Sequence, residues 1–296
     1  MLDVRRMAMG AVAIATSVGL TNVSAKIAGA EETHAAFKSG YAPVNGLRMY
    51  YEIHGSRHSS EPPLVLLHGG GSTIETSFGL VLDRFTKDRE VIAFDQQGHG
   101  RTADVDRPFS FTQSADDAAA LMRYLKVEKA DFLGFSNGAT IVLEIAIRHP
   151  EMVRKLVPIS GMYKHDGAGP TFWEGLEKGS IETMPEELKA DYRRTAPHPE
   201  QLPEFFRKSR ERMLHFQNIS AEEIHGIAAP TLVINGDADV PTLEHGVEMT
   251  RLLPHGELAI LPGTNHAQMM TRADWLVSMV EMFLNAPMPV GEGKGK

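Results

Sequence analysis

The chain has 296 residues, 42% of them hydrophobic, enough to bury a full core as one large domain. Its formal net charge of −8 comes without a basic stripe or interleaved basic and aromatic residues, so nucleic acid is not an expected partner. It holds no cysteine, which excludes a thiol nucleophile, a disulfide framework and a thiolate metal site; histidines and carboxylates do not cluster at metal-ligand spacing, and no cofactor is expected.

At the N-terminus, Arg5 and Arg6 precede a largely apolar, small-residue stretch from Met7 to Leu20, and Val23-Ser24-Ala25 supplies a small-x-small cleavage pattern. This predicts a secretory signal peptide over residues 1–25 and a periplasmic or secreted protein, with a cytoplasmic location as the alternative. The paired arginines leave general secretion and twin-arginine export both open. The apolar run is too short for a stable membrane span. Residues 26–40 read as a polar leader ahead of the fold.

Short apolar runs then recur at Leu47–His54, Leu64–Leu67, Val91–Phe94, Ala130–Phe135, Leu156–Ile159, Thr231–Ile234 and Leu258–Leu261, alternating with segments of helical period. The alternation predicts an α/β fold, a mainly parallel twisted sheet flanked by helices on both faces. In such a sheet the strand C-termini share one edge, so residues distant in sequence converge there.

The residues with chemistry follow these strands. After Leu64–Leu67 comes His68-Gly69-Gly70-Gly71, and after Val91–Phe94 comes Asp95-Gln96-Gln97-Gly98-His99-Gly100-Arg101. The next strand ends in Gly134-Phe135-Ser136-Asn137-Gly138, followed by a helical run, Ala139–Arg148. A sharp strand-to-helix turn needs small residues on both sides of Ser136, since a Cβ at 134 or 138 would collide with neighbouring backbone. The turn lifts the Ser136 hydroxyl clear of the sheet and leaves the Asn137 amide at a helix N-terminus, able to stabilise an anion. A serine hydroxyl is a weak nucleophile and requires a base, an acid to orient the base, and a second oxyanion donor. Asn235-Gly236-Asp237-Ala238-Asp239 follows the Thr231 strand, and Pro262-Gly263-Thr264-Asn265-His266 follows the Leu258 strand. Of 13 histidines, His266 is the one placed after a late strand.

Between residues 161 and 227 the strand-like runs stop. Trp173, Met184, Leu188, Leu202, Phe205, Phe206, Met213, Leu214 and Phe216 fall in charged stretches that look amphipathic and helical. This segment predicts a helical cap over the strand ends, some of its apolar residues lining a substrate pocket. The core is then 41–160 with 228–286, and 287–296 is a flexible tail.

From about residue 41 to 286 the sequence resembles the α/β-hydrolase family, through the HGGG loop, the Asp95–Arg101 segment, the elbow at Gly134–Gly138, Asp239 and His266, in the chain order serine, aspartate, histidine. The resemblance implies Ser136 as nucleophile, His266 as general base, Asp239 as the acid holding the imidazole, and the amides of Gly70 and Asn137 as the oxyanion hole. Asp237 is the alternative acid, in which case Asp239 would cap a helix beginning after Pro241. Gly98 and Gly100 look like loop formers, and His68 a structural loop residue. The expected activity is that of a serine esterase cleaving small-molecule carboxylic esters through an acyl-enzyme. A lactonase, amidase, perhydrolase or carbon–carbon bond hydrolase would use the same residues, and a non-catalytic binder is the remaining alternative. Oligomeric state and acyl and alcohol preference are open.

Overall fold

In the computed structural model, residues 37–55 and 61–289 are described. The expected signal peptide at 1–25 and most of the expected tail at 287–296 lie outside them. One eight-stranded sheet, in the order β1-β2-β4-β3-β5-β6-β7-β8, forms the centre. Its strands are β1 (Lys38–Val44), β2 (Leu47–His54), β3 (Leu64–Leu67), β4 (Val91–Phe94), β5 (Ala130–Phe135), β6 (Val153–Ile159), β7 (Thr231–Ala238) and β8 (Gly256–Asn265). β1 runs antiparallel to β2 and β2 antiparallel to β4; all later pairings are parallel.

Continuous apolar runs suit strands covered on both faces, and β3 and β4 are buried at every position. Alternate residues serve opposite faces. Val65, Leu67, Ile92, Phe94 and Phe132 pack with Leu121, Ile141 and Ile145 of helices α3 (Phe111–Tyr124) and α4 (Asn137–Arg148). Leu64, Leu66, Val91, Ala93 and Leu133 pack on the other face with Phe78 of α1 (Ile74–Phe78), Phe85 of α2 (Leu82–Phe85) and Val280 and Leu284 of the C-terminal helix at Ala273–Asn285. Truncating a side chain such as Phe132, fully buried, to Ala would cost about 3–5 kcal/mol.

β1 was not among the expected strands, and it carries the fold into the stretch read as a polar leader. Only Ala42 and Val44 of it are buried, and Pro43 is tolerated because the strand lies at the sheet edge. The turn to β2 is Asn45-Gly46, both with positive φ (47° and 84°), the two-residue hairpin turn that this dipeptide favours.

The insert between β6 and β7 is helical: α5 (Pro170–Lys178), α6 (Glu186–Thr195), α7 (Leu202–Leu214) and α8 (Ala221–His225). Met184, Tyr192, Leu202 and Phe205 form its small core together with Phe109 from the sheet-edge loops. Phe216, Ile219 and Ile224 belong to the main core, so the last part of the insert, α8 included, is already packed on the sheet layer. Helix α9 (Leu243–Leu252) separates β7 from β8, which makes the C-terminal helix α10.

Candidate active site

Ser136 stands between β5 and α4 at φ 56° and ψ −118°, a left-handed conformation that costs a non-glycine residue about 1–3 kcal/mol. The surroundings enforce it. A Cβ on Gly134 would stand 2.1 Å from the Gly138 carbonyl oxygen, and one on Gly138 would stand 2.0 Å from the Leu67 carbonyl oxygen. The Ser136 N–H donates to the Ile159 carbonyl at 2.9 Å, which ties the elbow to the end of β6.

His266 opens a 3₁₀ turn directly after β8, and Asn265 with Gln268 forms a reciprocal capping box that fixes its start. Its Nε2 lies 3.0 Å from Ser136 Oγ, and its Nδ1 lies 2.7 Å from Asp239 Oδ1. A carboxylate only accepts, so Nδ1 carries the proton and Nε2 presents a lone pair to the serine. Asp239 also accepts from the Val240 N–H at 2.7 Å, the Gly236 N–H at 3.1 Å and the Ser160 hydroxyl at 2.5 Å. Burial pushes this carboxyl up, and the hydrogen bonds and charge of His266, with those of Ser160 and Gly236, more than offset it and hold it below the usual carboxylate value.

Asp237, the alternative acid, does other work. Its exposed carboxylate accepts from the Gly263 N–H at 2.9 Å and the Thr264 N–H at 3.0 Å, so it braces the loop that precedes His266. Helix α9 is capped by Thr242, whose hydroxyl accepts from the His245 N–H, so Asp239 is not spent as a cap. Ser160 escaped the sequence reading. It follows β6 at φ 55°, and its only sequence signal is a polar residue directly after a buried strand.

The glycine loop after β3 lies beside the elbow. The Gly69 N–H is used by Ser77 Oγ at 3.2 Å, whereas among the described residues no protein acceptor takes the N–H of Gly70 or of Asn137. The two are in contact, since a Cβ on Gly70 would stand 2.2 Å from Asn137 Nδ2. His68 is buried, with Nδ1–H donating to the Gly69 carbonyl at 2.8 Å and Nε2 accepting from the Gln96 N–H at 3.0 Å. Burial pushes its pKa down to about 4, so it is a neutral brace for the loop. Gly98 and Gly100 adopt positive φ (71° and 51°), and Thr102 donates to the Asp95 carbonyl at 2.7 Å, so this neighbouring loop is structural.

A family model described as the alpha/beta hydrolase fold matches residues 62–209, half of the chain. The chain belongs to the alpha/beta hydrolase fold family. Among its relatives, 2-hydroxymuconate semialdehyde hydrolase of Pseudomonas sp. (strain CF600) is 27% identical over 244 residues, covering 75% of this chain and 86% of that protein. The match to uncharacterized hydrolase YraK of Bacillus subtilis (strain 168), 29% identical over 157 residues, covers 52% of this chain and 54% of that protein. The enol-lactonase from Burkholderia xenovorans LB400 superposes with a TM-score of 0.66 at 23% identity, over 83% of this chain and all of that one, a likeness of fold.

In this hydrolase the serine opens into a chamber of about 330 Å³. Met184, Leu188, Phe205, Phe206 and Met213 line it as expected, joined by Phe172 and Leu176 of α5. Trp173 does not; it turns into the core, stacks on His165 at 3.9 Å between centroids and donates to the His165 carbonyl. Leu202 and Phe216 are likewise buried away from the chamber, and Leu214 is no part of its wall. The chamber, largely apolar but with Ser209 and Arg210 also in its wall, brings together the Ser136 hydroxyl, the His266 lone pair and the Gly70 and Asn137 amides. Such a set can accept a proton from an attacking oxygen and stabilise the anion that the attack creates.

Proposed function

We propose that this hydrolase cleaves carboxylic esters of small molecules through an acyl-enzyme on Ser136. The observation that carries the reading is the continuous hydrogen-bonded line from Ser136 Oγ through His266 to Asp239, at 3.0 and 2.7 Å. As Ser136 Oγ attacks the ester carbonyl, its proton passes to His266 Nε2, and Asp239 stabilises the imidazolium. The carbonyl oxygen becomes an oxyanion held by the Gly70 and Asn137 amides. Collapse breaks the carbon–oxygen bond, and the imidazolium gives its proton to the leaving alcohol. Water, deprotonated by His266, then attacks the acyl-enzyme and releases the carboxylic acid.

The second reading keeps the same residues on a lactone or on a carbon–carbon bond beside a carbonyl. The name of one relative, 2-hydroxymuconate semialdehyde hydrolase, favours its carbon–carbon form. Wild-type protein and Ser136→Ala assayed on p-nitrophenyl acetate, butyrate and octanoate separate the readings. Ester turnover by wild type, lowered roughly 10³- to 10⁶-fold in the variant, supports the esterase. Labelling of Ser136 by a fluorophosphonate without turnover of any ester moves the assignment to the second reading. The proposal includes export to the periplasm or medium, on the pattern at residues 1–25; full-length protein recovered from the cytosol with those residues intact would contradict it.

A further inference from the structure

Among the described residues the polar side chains of the chamber wall are nearly all occupied. Thr140 donates to the Met162 carbonyl, Ser160 to Asp239, Thr183 to the Ser180 carbonyl and Arg210 to the carbonyls of Leu176 and Glu177. The Ser209 hydroxyl has no partner, but it is closed off from the chamber. Apart from the reacting Ser136 and His266, that leaves Asn137. Its half-buried side chain has no hydrogen-bond partner among the described residues and still reaches the chamber. No side chain caps the start of α4, and asparagine is a poor helix former, so folding alone does not call for a carboxamide here.

Gly70 gives that carboxamide its place. A Cβ on Gly70 would stand 2.2 Å from Asn137 Nδ2 and 3.1 Å from Asn137 Cγ, so the side chain points its nitrogen at this glycine. Unlike Gly71, at φ 76°, Gly70 is not in the left-handed region. What its position demands of glycine is therefore room for the Asn137 amide. Two positions that follow different strands, β3 and β5, are matched to hold one NH₂ group beside the Gly70 and Asn137 backbone N–H groups, which no acceptor of the described residues takes. Donors gathered without an acceptor oppose one another, and no aspartate or glutamate of the described residues lines the chamber. The acceptor that reconciles them has to come with the ligand.

We infer that the Asn137 side chain is a third donor of the oxyanion hole: its Nδ2–H converges with the Gly70 and Asn137 backbone N–H groups on the oxygen that becomes negative when Ser136 attacks. The inference rests on the serine-hydrolase reading and adds a catalytic residue to it. Charge on that oxygen is fully developed only after the attack, so a donor fixed here in advance stabilises the anion more than the neutral carbonyl. An aspartate in the same place would have the same shape but offer only acceptors and a negative charge to that oxygen.

The test measures by calorimetry how wild type, Asn137→Ala and Asn137→Asp bind two ketones: butyl trifluoromethyl ketone, which a serine adds to as an anionic hemiketal, and butyl methyl ketone, which stays a neutral carbonyl. Asn137→Ala should weaken the trifluoromethyl ketone by about 10²- to 10³-fold and leave the methyl ketone nearly unchanged. Asn137→Asp should weaken the trifluoromethyl ketone further, although it keeps the side-chain shape and suits a helix N-terminus. A packing role would make aspartate the milder change. Equal losses on both ketones, no loss on either, or an aspartate variant milder than alanine overturns the third donor. Should the alanine variant not fold, the aspartate variant decides alone, and retained affinity for the trifluoromethyl ketone overturns the proposal. Failure of a fluorophosphonate to label Ser136 in wild type would remove the nucleophile reading and the third donor with it, whereas labelling of wild type with the preference between the ketones unchanged in the variants removes the third donor alone.

Discussion

At the sheet edge Asp239 accepts four hydrogen bonds and His266 uses both ring nitrogens, while across the chamber the helical insert leaves Arg212 and Ser209 with donors unspent. Both regions are partly buried and polar, yet they are satisfied in opposite ways. A reacting group must meet its partner within a few tenths of an ångström, so the edge fixes its geometry before any ligand arrives. The insert is under no such constraint, and Arg212 and Ser209 keep buried donors there without partners, at the cost that unpaired polar groups carry. The difference separates a geometry fixed on the strand ends from polar groups left unsatisfied on the inserted helices.

Replacing the acid is the largest way to break that comparison after Ser136 itself. Asp239→Asn should lower kcat by up to about 10⁴-fold, because an amide in its place can hold His266 in the wrong tautomer. Asp237→Asn should cost far less, since its carboxylate braces the Gly263–Thr264 loop and does not touch the imidazole. Steady-state kinetics of the two variants side by side checks this, and a larger loss at 237 would reverse the assignment of the acid.

How far these regions could be read in the sequence follows from what decides each residue's place. Leu64–Leu67 and Val91–Phe94 announced themselves because strands buried on both faces need unbroken apolar runs, and Ser136, Asp239 and His266, which the fold brings together, could be singled out because each follows such a run. β1 was passed over because an edge strand buries only Ala42 and Val44, although Asn45-Gly46 was an available hairpin signal. In the insert, Trp173 and Phe206 look equivalent as sequence; which one faces the chamber depends on how the helices dock. The same holds for Arg207, Arg210 and Arg212, three arginines of one amphipathic helix that end respectively in exposed ion pairs, on carbonyls, and buried without a partner.

The histidines offer a stability test of the same contrast. Burial pushes His68 and His245 down to about 4 and His99 also downward, so all three fold neutral. Their stabilising effect is complete above the unfolded value of about 6.5 and is lost as pH falls towards about 4, because the unfolded chain binds protons that the fold does not. For fully buried His68 the loss approaches about 3 kcal/mol. Asp95, pushed up to about 6 by burial, and Asp131 and Glu144, also raised by burial, work the other way over part of that window, and the three histidines outweigh them there. The urea midpoint should therefore fall between pH 7 and pH 5, and a constant midpoint would contradict neutral burial.

Ser160 gives the smallest effect and tests whether the satisfaction of Asp239 matters to chemistry or only to folding. Its hydroxyl donates to Asp239 Oδ2 at 2.5 Å, on the oxygen opposite the one facing His266, and helps hold the carboxyl below its usual value. In Ser160→Ala the backbone donors of Gly236 and Val240 and the His266 bond remain, so kcat should fall by about tenfold or less, the worth of one charge-assisted hydrogen bond. The loss also leaves Asp239 a more basic acceptor for the imidazolium, so the acidic limb of the kcat profile, where that imidazolium forms, should move to higher pH. A merely structural serine would lower the melting temperature and leave that limb where it is. Kinetics from pH 4 to 8 beside thermal unfolding distinguishes the two, because only a group acting through Asp239 shifts the pH profile of turnover.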